Sequence, residues 1–344
     1  MDRTSQLAVT AAQMAYADAG LNGHPFDEKR IGIFEGTSLG GMEWLFRQYD
    51  IYQERGLGKV NPFTLTAAFM GAGSGETAIH LGIKGPTMTV CTGSASGADA
   101  IGLAIGALRQ GDADIIIAGG AETPFILPII ALFNRVEVLS KQNEDPETAC
   151  RPFDRDRDGF VLGEGSAFMV LETEEHASRR GARIRGLLAG YGQTCDAHHM
   201  NAPDPEGQGA AEAIGLAINE AGVEPDQVDY INAHGTATRL NDPVESKAIQ
   251  RALGNWGNQV PVSSTKPITG HLLGASGALE AVITLLTVEN QALPPNLNLE
   301  NLDSECTLNI VTPPSVETKI ECAVTNSYGF GGKNSTLIFR RFHG

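Results

Sequence analysis

Apolar positions along the chain follow two alternating patterns. Leu7, Ala11, Met14 and Ala15 recur at helical spacing and stop at Gly20, and the short apolar run Ile31 to Phe34 reads as the strand that follows. The same pair returns much later, where Ala213 to Ala221 ends at Gly222 and Val228 to Ile231 follows. The texts echo one another: AYADAGL then RIGIFEGT, against AINEAGV then DYINAHGT. A second echo keeps the order. Ala95-Ser96-Gly97-Ala98 opens a helix through Leu108, and Ala275-Ser276-Gly277-Ala278 opens one through Leu286. Two related α/β halves are predicted, residues 1–182 and 183–344, meeting near Gly181 to Ile184 after a strand at Ala167 to Leu171. No proline-rich or low-complexity linker divides them, so they are expected to share one packed body.

Composition narrows the class. Apolar residues make up 42% of the 344 and charged residues 19%, a balance that supports a sizeable core and excludes disorder. The longest apolar run, Phe125 to Phe133, contains a proline and reaches about half of the roughly 18 residues a membrane helix needs. MDRTSQLAV has no basic segment followed by an apolar one, so it is not a secretion signal. Five cysteines (Cys91, Cys150, Cys195, Cys306, Cys322) are scattered without CxxC spacing, which points to reduced thiols in a cytoplasm and to no zinc site. A net charge of −16 argues against nucleic acid as partner.

Four clusters carry candidate chemistry. In Met88 to Gly97 a β-branched strand breaks at Gly93 and a long helix begins, so Ser94 lies at a helix N-terminus. Free N–H groups there favour a nucleophile and an oxyanion, and they equally suit a serine that only caps the helix. Cys91, inside the strand, is expected to be a buried core thiol. Asn232 to Thr238 places His234 before a glycine at a strand's C-terminal edge, where α/β folds bind ligands. Asp242 and Pro243 read as N-cap and first residue of the next helix. Ser263 to His271 sets Lys266 and His271 on a Gly/Thr loop, with no metal-ligand spacing. Asn326 to Asn334 has three glycines around Phe330, the text of a mobile flap, and it lacks the phosphate-loop spacings.

Taken in order, these clusters resemble the β-ketoacyl-acyl-carrier-protein synthases, of the KAS II type and the type II polyketide ketosynthase type. CRPFDRDRDGFVLGEG, NAHGTATRLND, SSTKPITGHLLGASGA and NSYGFGGKN carry the resemblance, which runs from Met1 to about Arg341. It implies a thiolase-like α/β fold of two similar halves in five layers, as a homodimer or as a heterodimer with a related synthase subunit. It also implies decarboxylative Claisen condensation with no cofactor of the protein's own, the substrates riding on the phosphopantetheine of an acyl carrier protein. His234 and His271 match the two catalytic histidines, Lys266 the lysine that supports the second of them, and Glu280 the acid paired nearby. Thr236 and Thr238 match the pair that holds the pantetheine arm, Phe330 the gate facing His199 in DAHHMN, and Leu39 the chain-length position. Asn334 closes the flap motif as a substrate-side residue. Arg179-Arg180-Gly181-Ala182-Arg183 is a candidate basic patch for an acidic carrier.

Three departures stand out. Ser94 occupies the place of the family's nucleophilic cysteine. A helix N-terminus can bring a thiol of pKa about 8.5 to thiolate but cannot ionise an alkanol, so acyl loading and condensation are expected to be lost. An engineered Cys-to-Ser change is the favoured origin; a natural malonyl decarboxylase, a non-condensing partner subunit or a serine acyltransferase are the alternatives. The strand-turn and helix that family members place ahead of the position of Met1 are absent; a complete chain would lack a core strand in the first half and have to cover the sheet edge otherwise, so a shortened chain or a misassigned start is the expected explanation. Tyr328 and Lys333 stand where Phe and Thr are usual, and Lys333 is expected to bring a cation near the site.

Overall fold

The computed structural model describes residues 1–23 and 26–344. In the first half, α1 (Arg3–Asp18) leads into β1 (Ile31–Gly36), α2 (Ala72–Leu81), β2 (Thr87–Val90), α3 (Ser96–Gln110), β3 (Ile115–Glu122) and β4 (Gly165–Glu172). The second half opens with β5 (Leu187–Cys195) and continues through α4 (Gln208–Ala221), β6 (Tyr230–Asn232), α5 (Asn241–Leu253), β7 (Pro261–Ser263) and α6 (Ser276–Asn290). It closes with β8 (Asn309–Ile310), β9 (Cys322–Gly329) and β10 (Lys333–Arg340). The echoed helices end as their texts predict, with left-handed glycines past their C-termini: Gly20 at φ 69° and Gly222 at φ 63°.

One sheet has the order β2-β1-β3-β4, the other β5-β10-β9-β6-β7-β8. β1 pairs parallel with β2 and β3, and β4 runs antiparallel to β3. Likewise β6 pairs parallel with β7 and β9, and β10 runs antiparallel to β9. α3 and α6 lie between the two sheets, while α1 and α2 cover the outside of the first and α4 and α5 the outside of the second. The layers run helix, sheet, helix, sheet, helix. Central strands buried on both faces read as unbroken apolar runs, as in Ile115-Ile116-Ile117, all at most 1% exposed. The outer edge of β4 meets no further strand of the described residues.

Two expectations fail locally. Cys91 is exposed rather than buried, because β2 is the sheet's edge and already ends at Val90. Asp242 is not the N-cap of α5: the helix starts at Asn241, after Leu240, and Pro243 sits within its first turn. Thr238 Oγ1 accepts the Asn241 N–H at 3.2 Å, while buried Asp242 accepts from Phe153 N at 2.8 Å and faces Arg157. No described helix is long and apolar enough to cross a membrane.

The middle layer closes at one crossing. A Cβ on Gly97 would stand 2.7 Å from Ala278 N, and a Cβ on Gly277 would stand 2.8 Å from both Ala98 N and Ala98 Cβ. The N-terminal turns of α3 and α6 therefore touch backbone to backbone. Gly277→Ala forces the two apart and is expected to cost about 1–3 kcal/mol in urea unfolding. Gly106→Ala, also helical but with nothing within 4 Å, is expected to stabilise by about 0.4–1 kcal/mol.

Candidate active site

The crossing brings the candidate residues to one place. Ser94 lies two residues ahead of α3 and His271 five ahead of α6, and Ser94 Oγ lies 3.1 Å from His271 Nε2. The His234 ring stands edge-on to His271, centroids 5.3 Å apart. Ser94, His234, His271, Thr236, Thr238, Leu39, Phe330 and Asn334 all line one cavity of about 720 Å³. Gly329 is required where the flap passes Ser94, since a Cβ there would come within 3.0 Å of Ser94 N.

Both histidines are held neutral. Burial lowers the pKa of His234 well below its ordinary value, and the Lys266 charge and His271 lower it further. Burial and then Lys266 do the same for His271. Lys266 is itself fully buried and ion-paired with Glu280. Its Nζ donates to the His234 carbonyl and faces His234 Nδ1 at 3.4 Å. A group with only protons to give makes Nδ1 the bare nitrogen, so Nε2 carries the hydrogen on a ring that lines the cavity.

This corrects the expected pairing, in which Lys266 was to support the second histidine. His271 is held instead by Ser276, whose Oγ lies 2.8 Å from its Nδ1 and also accepts the Leu272 N–H at 2.8 Å. Ser276 was missed, although the repeat contained the signal: Ser96, at the same place in the first echo, accepts the Thr92 N–H at 2.9 Å. Glu245 was missed as well. Buried, and with its pKa raised to about 7 chiefly by that burial, it accepts from His234 N at 2.8 Å and Gly235 N at 2.7 Å. Gly235 is needed in that turn, at φ 36° with Ser264 Cβ only 2.5 Å from where a Cβ would stand.

Other expectations are displaced. Thr236 and Thr238 hydroxyls lie 2.9 Å apart. The flap does meet the DAHHMN loop, through Gly331 N and Met200 O at 2.7 Å. The His199 ring, however, is not part of the cavity wall, because its Nδ1 turns back to accept from Asn201 N and Ala202 N. Asn334 Nδ2 is engaged with Asp196 Oδ1 at 2.6 Å. Tyr328 lines the cavity with its hydroxyl buried, whereas Lys333 does not line it. The Arg179 to Arg183 stretch is no free basic patch: its three arginines pair with Glu175, Glu172 and Glu289, away from the cavity.

Two halves of one topology, with Ser94 and two neutral histidines at their crossing, define a protein of the thiolase-like class. Residues 1–177 match the family description "Beta-ketoacyl synthase, N-terminal domain" and residues 185–300 "Beta-ketoacyl synthase, C-terminal domain". The chain belongs to the beta-ketoacyl synthase family. It is 45% identical over 342 residues to 3-oxoacyl-[acyl-carrier-protein] synthase 2 of Synechocystis sp., covering 99% of this chain and 82% of that one. The Staphylococcus aureus protein of the same name is 42% identical over 342 residues, again 99% and 82%. A type II polyketide ketosynthase solved with its acyl-carrier protein superposes with a TM-score of 0.95 at 32% identity, covering 99% and 85%. The ishigamide ketosynthase/chain length factor gives 0.93 at 35%, covering 100% and 83%.

Lys266→Met is expected to destabilise the fold by about 3–5 kcal/mol by stranding the buried Glu280 carboxylate. Lys266→Met/Glu280→Leu is expected to recover most of that loss in urea unfolding. Because the histidines' folded pKa values lie below 6.5, the unfolded chain binds more protons as pH falls past 6.5, and stability drops there. Without the Lys266 charge those folded values rise and the acid-side slope flattens.

Proposed function

We propose that this chain is a ketosynthase-type subunit acting on malonyl and acyl thioesters of an acyl carrier protein, able to decarboxylate but not to condense. The observation that carries the reading is the meeting of His234, His271 and Ser94 in one cavity, with Nε2 of His234 protonated on a neutral ring. In decarboxylation the bond between the malonyl methylene and its carboxylate breaks, CO₂ leaves, and the electron pair moves into the thioester carbonyl. The resulting enolate oxygen takes hydrogen bonds from Nε2–H of His234 and, when Ser276 donates to Nδ1, from Nε2–H of His271. Solvent then protonates the methylene carbon. None of these steps uses the residue at position 94.

Acyl loading does use it. The Ser94 oxygen would have to attack the carrier thioester and expel the phosphopantetheine thiolate. With the alternative orientation of Ser276, His271 Nε2 faces Ser94 as an acceptor, which favours a second reading, a serine acyltransferase. Against it, the nearby Lys266 charge disfavours the imidazolium that such a base must become, and Nδ1 has a hydroxyl rather than a carboxylate behind it. Thr236 and Thr238 suit the pantetheine arm, and Leu39 the acyl end. Lys141 and Arg239, exposed on the cavity lining and without ion-pair partners among the described residues, give an acidic carrier local cations on a body of charge −16.

Incubation with an acyl-carrier thioester followed by intact-protein mass measurement tests the reading. An acyl adduct is expected on Ser94→Cys and none on the unaltered chain. Release of CO₂ from malonyl-carrier is expected in both, falling roughly 10²–10³-fold in His234→Ala. An adduct on the serine form would establish the acyltransferase instead.

A further inference from the structure

β3 runs through apolar residues and glycines and closes on a carboxylate, Glu122, which is fully buried. A carboxylate away from water keeps its charge only where donors surround it. Glu122 has four, all neutral and drawn from two separate turns. Its Oε1 accepts from Thr37 Oγ1 at 3.0 Å and from Leu39 N at 3.1 Å. Its Oε2 accepts from Ser38 N at 2.6 Å and from Gly274 N at 3.0 Å. Thr37 carries the restraint further, since its Oγ1 in turn accepts from Gly40 N at 3.1 Å. Glycines let the two turns meet over the strand. A Cβ on Gly274 would stand 2.4 Å from Ser38 N, and one on Gly120 would stand 3.2 Å from Gly274 O.

Glu122 does not line the catalytic cavity, but what it holds does. Ser38 and Leu39 line it from the first half and Leu273 from the second. Leu273 sits in the left-handed region at φ 45°, a conformation that persists only where its surroundings over-determine it. The bond from the next amide, Gly274 N, to Glu122 is one such restraint. The histidine end of the cavity is pinned by other means: His271 N donates to Val161 O at 2.7 Å, and the His271 carbonyl accepts from Gly163 N at 2.9 Å. Glu122 therefore acts on one stretch of wall, the stretch that carries Leu39.

We propose that Glu122 is a positioning residue for acyl-chain selectivity: by stitching the Thr37–Gly40 turn to the Leu273–Gly274 turn, it limits the length of acyl chain the cavity accepts. The inference rests on the reading above that the chain takes acyl thioesters, with Leu39 at the acyl end. A glutamine at 122 keeps the shape but has one acceptor oxygen and one NH₂ group, which only donates. Whichever way the amide lies, its NH₂ meets donors: either Thr37 Oγ1 and Leu39 N, or Ser38 N and Gly274 N. One turn is pushed off, the wall at Leu39 retreats, and longer chains gain room.

The test titrates hexanoyl-, decanoyl- and dodecanoyl-pantetheine calorimetrically into the unaltered chain and into Glu122→Gln. The ratio of dodecanoyl to hexanoyl affinity is expected to rise roughly fivefold or more in the variant. Leu39→Ala is expected to raise the same ratio, and adding Glu122→Gln to it to raise the ratio no further, because the carboxylate acts through that wall. An unchanged ratio overturns the proposal. So does a loss by one factor at every length, which is what a merely weakened fold gives, and so do additive shifts in the double variant. Should Glu122→Gln fail to fold, Thr37→Val keeps the carboxylate and removes one donor. It is expected to move the ratio the same way, and an unchanged ratio there is equally fatal. An unaltered chain that binds none of the three thioesters overturns the functional reading itself, and this proposal with it.

Discussion

The contact between the first turns of α3 and α6 governs the molecule. Side-chain packing would hold two helices about 8–10 Å apart. Here glycine on each helix lets backbone meet backbone, and the loops leading into the two helices are brought to hydrogen-bonding distance. Ser94 belongs to one half and His271 to the other, so neither half has a site alone. The pocket is a product of the interface between the halves.

Around that contact the charges are arranged to keep the imidazoles uncharged. A lysine and a glutamate are buried as a pair beneath the histidines, and the lysine's remaining protons fix which nitrogen of His234 is bare. Glu245 fixes the turn that presents the ring. The site thus offers neutral hydrogen-bond donors in a poorly solvated pocket, suited to charge that develops on an oxygen. It offers little to a nucleophile that must lose a proton, which is why the residue at position 94 matters so much.

Much of this was legible in the text, for physical reasons. The repeat announces the two sheets because helix-closing glycines and apolar strands leave local marks, and His234, Lys266, His271 and Ser94 stand on turns whose residues are constrained. Partners were harder to read. The hydroxyl behind His271 is that of Ser276, five positions away on a turn whose geometry no periodicity reveals, and Lys266 turned toward the other histidine. Cys91 was misread because an edge strand and a central strand have the same local text. Asp242 resembled a cap because the buried guanidinium it faces, Arg157, comes from a distant loop.

Ser96 and Ser276 close the same turn in the two halves, each accepting the amide four residues before it. Only the second also touches an imidazole. The hydroxyl that shapes the loop is thus also the one bonded to the imidazole, so a replacement at Ser276 disturbs the turn and the ring together.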